Sequence, residues 1–180
     1  MRESWAGQWI SLETGLLARL DPGVDTVALR YGTSVEALTE TPEGGLASSA
    51  VWISRDGEDL VMQRPQENFA GRLVPVARVT STAGQDIAGR YRSDELDAEL
   101  VIDARDGGAF LWTEGFLGKG RPEILQPAGP DLWILVTRRS MDAPAPGDWT
   151  LQLMRDGDGS VTGVRLGCWL ARGIDYVKCG

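Results

Sequence analysis

"AGQWISLE", residues 6–13, and "AGRYRSDE", residues 88–95, are two versions of one motif. Alanine, glycine, serine and glutamate recur in register, and Trp9 is answered by Tyr91. Each copy leads into a small turn and then an apolar, strand-like run. The glycine permits close backbone approach, and the aromatic residue two positions on can cover one end of a core. The serine and the acidic residue suit the turn that follows. A motif that opens two similar runs implies two β units, 1–78 and 86–180, joined by 79–85. The connecting stretch "RVTSTAGQD" is small, polar and glycine-bearing, as a boundary should be.

The rest of the chain reads as short strands. "SAVWIS", "LVMQ", "ELVIDA", "AFLWTE", "DLWILV", "WTLQLM" and "VRLGCWL" are rich in Val, Ile, Leu and Trp. Turn clusters such as "DPGVD", "PEGG", "RDGED", "RDGG" and "RDGDGS" bound them. Asp-Gly and Gly-Gly pairs take positive φ at low cost, as tight hairpins need. Turn spacing is mostly about 8–12 residues, the mark of an all-β sandwich or barrel. "TSVEALTE" has enough helix formers for a turn or two, but its neighbours favour a strand. A lone open sheet of this size would expose its edges, and closure into a barrel removes them. Two barrels sharing an interface bury more apolar surface than either alone. Seven tryptophans supply large apolar groups for this.

Composition removes several function classes. The net charge is −8 and both halves are acidic, which disfavours nucleic acid and anionic membrane as partners. No apolar run approaches membrane-spanning length. "MRESWAGQWI" contains no apolar signal-peptide core, so the expected location is the cytoplasm. The cysteines, Cys168 and Cys179, do not form a disulfide framework. There is no histidine, which excludes His-based triads, His–Zn sites and histidine bases. The two lysines, Lys119 and Lys178, follow Phe116 and Asp175 by three positions, so no Ser-x-x-Lys pair exists. The expectation is no catalytic residue, no metal and no cofactor.

Weaker motifs read as structure. "DGDGSV", 156–161, opens like a calcium loop, but its twelfth position is Gly167 and strands flank it, so a hairpin turn is expected. "GFLGKGR", 115–121, lacks the Gly-Lys-Ser/Thr ending of a phosphate loop and reads as a glycine-rich hairpin. "YRS", 91–93, has the Tyr-x-Ser form of penicillin-recognising enzymes but falls inside the repeated motif. Glu95, Asp97 and Glu99 alternate, and are expected to share the solvated face of one strand. Gly7 and Trp9 form the Gly-x-Trp signature of lipocalins. That keeps a free-standing, lipocalin-like small-ligand-binding or interaction module as the alternative reading, though a single lipocalin does not explain the repeat.

"DIAGRYRSDELDAEL", "GFLGKG", "PAGPDLWIL", "RSMDAPAPGDWTL" and "VRLGCWLARGIDYVKC" closely resemble the C-terminal region of bacterial D-aminopeptidases. These are serine peptidases related to penicillin-binding proteins and class C β-lactamases. "WISLETGLLARL" and "RPQENFAGRLVPV" resemble the preceding segment of the same enzymes. The resemblance implies an all-β chain of two antiparallel, eight-stranded, lipocalin-like barrels in tandem. It implies a partner: a catalytic serine-peptidase domain, in the same gene product or a separate chain, acting on D-amino-acid amides or peptides. The family's nucleophilic serine, lysine and tyrosine have no match here. A face that normally meets a catalytic domain could also pair two copies as a homodimer.

One stretch acquires a role from the resemblance. A tight hairpin needs two residues, yet "RRSMDAPAPGD" separates "DLWILV" from "WTLQLM". In the family, a loop of the last barrel enters the catalytic cleft and favours substrates with a free amino-terminal D-residue. The matching loop here is 139–148, and its candidate gating residues are Arg139, Ser140, Met141, Asp142, Ala143, Pro144, Ala145 and Pro146. The Asp142 carboxylate suits a substrate ammonium. Pro144 and Pro146 stiffen the loop and lower the entropy cost of holding it in a foreign cleft.

Overall fold

Alternation along the chain decides which side chains face inward. On Val27–Tyr31, Val27 and Leu29 are buried and Arg30 is exposed; on Asp59–Arg64, Leu60, Met62 and Arg64 are buried. With one face apolar and every edge needing a partner, such strands are satisfied by closing into a ring. The computed structural model describes residues 2–32, 34–79, 86–105, 108–136, 148–168 and 173–180.

The first barrel contains β1 (Gly7–Ile10), β2 (Leu17–Pro22), β3 (Val27–Tyr31), β4 (Ser34–Glu40), β5 (Leu46–Ala47), β6 (Trp52–Asp56), β7 (Asp59–Arg64) and β8 (Phe69–Pro75). Each strand pairs antiparallel with the next, and β8 returns to β1 through Trp9–Pro75 and Ile10–Val74. The stretch "TSVEALTE" is the strand β4, as its neighbours suggest. Trp9, Leu20, Leu29, Leu38, Ile53, Met62 and Leu73 belong to the cluster that fills the interior.

The second barrel contains β9 (Gly89–Ser93), β10 (Ala98–Arg105), β11 (Gly108–Gly115), the stub β12 (Gly118–Lys119), β13 (Glu123–Gly129), β14 (Leu132–Val136), β15 (Trp149–Arg155), β16 (Val161–Gly167) and β17 (Ile174–Lys178). With β12 lying outside the ring, eight strands close through β10–β11 and β17–β9 pairing. Tyr91, Leu100, Leu111, Trp133, Leu151 and Tyr176 fill this interior. The chain is therefore all-β, with two closed antiparallel eight-stranded barrels. Both interiors are occupied by packed side chains, which disfavours the alternative of a ligand-binding barrel.

The repeated motif opens each barrel. Trp9 and Tyr91 lie on the first strands, buried in their respective cores. A Cβ at Gly7 would meet the Trp9 ring at 2.6 Å, which explains the glycine two positions before the aromatic. Trp9 Nε1 donates to Glu58 O (3.0 Å) and Tyr91 OH to Ile87 O (2.6 Å). Burial, with the Asp86 charge adding to it, pushes Tyr91 up to about 12.

The sequence expectations for the turns are met with one exception. Asp156–Ser160 is a hairpin turn in which Asp156 Oδ1 accepts from the Asp158 and Ser160 amides. Gly115–Gly118 closes a hairpin between β11 and β12. The expectation that Glu95, Asp97 and Glu99 share a strand face is wrong. Asp94–Asp97 form the β9–β10 turn, with Asp97 at φ 47°, and only Glu99 stands on β10.

Candidate functional site

In each barrel successive strands run in opposite directions, so connections alternate between its two ends. In the second barrel the connections at 94–97, 116–122, 137–148 and 168–173 leave one end. In the first, those at 11–16, 32–33, 48–51 and 65–68 leave one end. These two ends meet. Thr150, fully buried at the start of β15, donates from Oγ1 to Gly15 O (2.8 Å). A Cβ at Gly167 would lie 2.8 Å from Thr14 O, and one at Gly173 would lie 3.3 Å from Glu13 O. The 11–16 connection is thus laid backbone-to-backbone against β15, β16 and the approach to β17.

An apolar seam continues this contact. Ile10 and Leu17 from the first barrel pack with Ala128, Leu132 and Ile134 from the second. Gln8 Nε2 donates to Ala128 O across it (2.6 Å). A Cβ at Gly129 would meet the Val76 side chain at 2.3 Å and Ala77 O at 3.2 Å, so the chain segments approach closely here too.

The predicted gating residues, Arg139, Ser140, Met141, Asp142, Ala143, Pro144, Ala145 and Pro146, lie outside the described residues, as do 137–138 and 147. The structure does fix where their loop begins and ends. Leu135 pairs with Trp149 at its base, at the shared end. The last residue of the predicted loop, Asp148, stands on the seam between barrels. Burial raises its carboxyl above the ordinary aspartate range, and the Arg19 charge and the Gly32 amide, which donates to it, only partly offset this.

That geometry makes a prediction with a definite sign. An acid whose folded-state pKa is raised holds its proton more tightly when folded. Stability is therefore lost as pH rises from the ordinary aspartate value through the raised one. Asp148→Asn removes the buried charge and keeps an acceptor for Gly32. It should stabilise the chain at pH 7 by on the order of 1 kcal/mol, and the gain should vanish at pH values where Asp148 is protonated. Urea unfolding at both pH values checks this; a loss of stability at pH 7 would show that the Arg19 interaction outweighs the desolvation.

A polar cluster sits at the same end, inside the mouth of the first barrel. Arg64, only 5% exposed, reaches Glu36 Oε2 (2.8 Å) through Nη1 and Glu67 Oε1 through Nε and Nη2 (3.0 and 2.7 Å). Its guanidinium lies 5.2 Å from the Tyr31 ring centroid. Ser48 Oγ donates to Glu36 Oε1 and accepts from the Ala50 and Val51 amides. Burial pushes Glu36 upward, but the Ser48 and Arg64 hydrogen bonds together outweigh it and hold the carboxyl below its usual range. Hydrogen bonds to Glu67 and Glu36 raise Arg64 despite its burial. The cluster sets one guanidinium against two carboxylates and closes the mouth of the barrel. It offers no nucleophile–base pair. Among the described residues, no group of three or more His, Cys, Asp or Glu could hold a metal ion.

The sequence reading passed over Gly15, Thr150 and Gly167, which make the junction, and Arg64 and Glu36, which close the mouth. The alternation Leu60, Met62, Arg64 was the available signal for an inward arginine.

A barrel pair with a shared loop-bearing end and no catalytic constellation among its described residues can be compared with known proteins. A family model described as D-aminopeptidase, domain B matches residues 1–177. The chain belongs to the D-aminopeptidase domain B family. A D-aminopeptidase of Cereibacter sphaeroides (strain KD131) is 53% identical over 176 residues, covering 98% of this chain and 34% of that protein. A D-aminopeptidase of Brucella ovis is 44% identical over 175 residues, covering 97% of this chain and 33% of that protein. The chain thus spans about a third of the length of these D-aminopeptidases. Among the described residues, no helix is long and apolar enough to cross a membrane.

Proposed function

We propose that this domain B is a non-catalytic accessory region of a D-aminopeptidase-type serine hydrolase. It packs on a catalytic domain and, through loop 139–148, restricts that domain's cleft to substrates with a free amino-terminal D-residue. The observation that carries the reading is the match to domain B over nearly the whole chain, combined with relatives about three times as long. One structural feature supports it. The end of the second barrel from which the loop departs is braced against the first barrel by Thr150, Gly15 and Gly167. A rigid base is what a loop inserted into a separate cleft requires. The division into 1–78, a linker 79–85 and 86–180 belongs to the same proposal, as does a cytoplasmic setting.

The test is made in a full-length D-aminopeptidase carrying this chain as its domain B. Asp142→Ala should lower kcat/KM for D-alanine amide by about tenfold or more, as expected for losing a hydrogen bond to a charged group. N-acetylated substrates should be unaffected. Replacing 139–148 by a two-residue turn should admit longer peptides. Unchanged discrimination in both variants would remove the gating role.

A further inference from the structure

The inter-barrel seam is already occupied, so the surface that meets the remainder of a D-aminopeptidase lies elsewhere. Exposed apolar side chains mark such surfaces. Phe116 is 99% exposed and Leu117 97% exposed, and both sit at the tip of the β11–β12 hairpin. Leu12 and Leu96, about half exposed, lie in connections at the same shared end. The 137–148 connection also leaves from this end.

The hairpin is held in place rather than left loose. Glu114 pairs with Lys119 and Gly115 with Gly118, and Gly118 takes φ +95° in open space. The Gly120 amide donates to Thr113 O (2.7 Å). Lys119 Nζ lies 4.6 Å from the Trp112 ring centroid, and Trp112 Nε1 donates to Glu114 Oε1 (2.9 Å). Glu114 Oε2 also accepts from Arg90 (2.7 Å). A pre-shaped apolar anchor ringed by paired charges is the arrangement of a binding hot spot, and little ordering entropy is lost when it docks.

We propose that Phe116 and Leu117 insert into an apolar pocket on the part of the D-aminopeptidase polypeptide that lies outside domain B. This deepens the accessory-domain reading and rests on it. About two-thirds of each relative's length lies outside the match, so a large partner surface is tethered to the same polypeptide. Tethering raises the effective concentration, which lets a two-residue anchor suffice. A second copy of this chain is a poorer occupant. The depression of about 470 Å³ beside Phe110, Trp112 and Pro122 could receive a tip. That contact would join two different surfaces, and such contacts tend to run on into open assemblies rather than close as dimers.

The experiment uses the full-length Cereibacter sphaeroides D-aminopeptidase with this chain in place of its domain B. The photo-crosslinking amino acid p-benzoylphenylalanine is introduced at position 116, at position 142, or at the exposed turn residue Asp158 as a control. Crosslinks are mapped by mass spectrometry. Position 116 should crosslink to the non-domain-B part of its own polypeptide, with a yield about tenfold or more above position 158, as expected of an interface anchor. Phe116→Ser/Leu117→Ser should leave the Tm of the isolated 180-residue chain unchanged and should abolish protection of that surface in hydrogen exchange of the full-length protein. Crosslinks at 142 but none at 116 would overturn this proposal and leave the accessory reading standing. No crosslinks at either position would overturn both. Crosslinks from 116 to a second copy, or to added phosphatidylglycerol vesicles, would assign the tip to self-association or to lipid and overturn it.

Discussion

Gly15→Val should destabilise the chain by about 4 kcal/mol, the sum of a β-branched residue forced into the left-handed region and overpacking against backbone. Gly15 has φ +75°, and a Cβ there would stand 2.7 Å from Thr150 Oγ1 and 3.0 Å from the Gly167 carbonyl carbon. Neither backbone atom nor buried hydroxyl can move without opening the junction, because Thr150 is fully buried and hydrogen-bonded to Gly15 O. Urea titration followed by tryptophan fluorescence should show an earlier first transition, with the two barrels no longer unfolding together. Gly15→Asn separates the causes, since asparagine tolerates positive φ but still carries a Cβ. If the contact dominates, asparagine should cost nearly as much as valine. A loss below about 1 kcal/mol for valine, the size of an ordinary substitution, would mean that the 11–16 connection is not held against the second barrel.

Arg64→Met should cost about 3–5 kcal/mol, the usual penalty for stranding the partner of a buried ion pair. Methionine fills the space but leaves Glu36 facing the barrel interior with, among the described residues, Ser48 and Tyr31 as its hydrogen-bond partners. The pH dependence identifies the cause. In the unaltered chain Glu36 has a folded-state pKa below its ordinary value of 4.5. Its contribution is therefore complete above that ordinary value and is lost as pH falls through the folded one. Without Arg64 the carboxyl is left desolvated and takes up a proton more readily. The difference between the two proteins should be largest near pH 7 and should shrink on acidification. Arg64→Met combined with Glu36→Gln should recover most of the loss, because the stranded charge is gone. An equal loss at all pH values, with no recovery in the double variant, would make packing rather than charge the reason for Arg64.

The barrels were legible in the sequence because strands and turns are local signals. Asp-Gly turns and period-two alternation locate β7, β10, β11, β14 and β15 to within a residue or two, whereas the run "VRLGCWL" lies three residues beyond β16. The repeated glycine–aromatic opening was legible because it is a close-packing device within a few residues, seen in Gly7 against the Trp9 ring. The stubs β5 and β12 were not, since two residues carry no period. Glu95 and Asp97 were misplaced because alternation in a charged run does not distinguish a strand from a four-residue turn. The junction was hidden for a different reason. Gly15, Thr150 and Gly167 are ordinary residues in their own segments, and only tertiary approach gives them a role. The candidate loop was found through resemblance, and physical reasoning supplied only its stiffness and its carboxylate.

The return of the last strand to the first in each barrel, Pro75 to Trp9 and Val177 to Arg92, also has a kinetic meaning. Apart from β11 with β13, which pair across the stub β12, every other pairing in the rings joins strands adjacent along the chain, and a hairpin of that kind forms in about 1–10 μs. Ring closure brings together the most distant residues and carries the largest loop entropy, so it belongs late in the folding reaction. Until it occurs, β1 and β8 present bare edges, open to pairing with another molecule. Substitutions in the closing strands should therefore act mainly on the unfolding rate and those in the internal hairpins on the refolding rate.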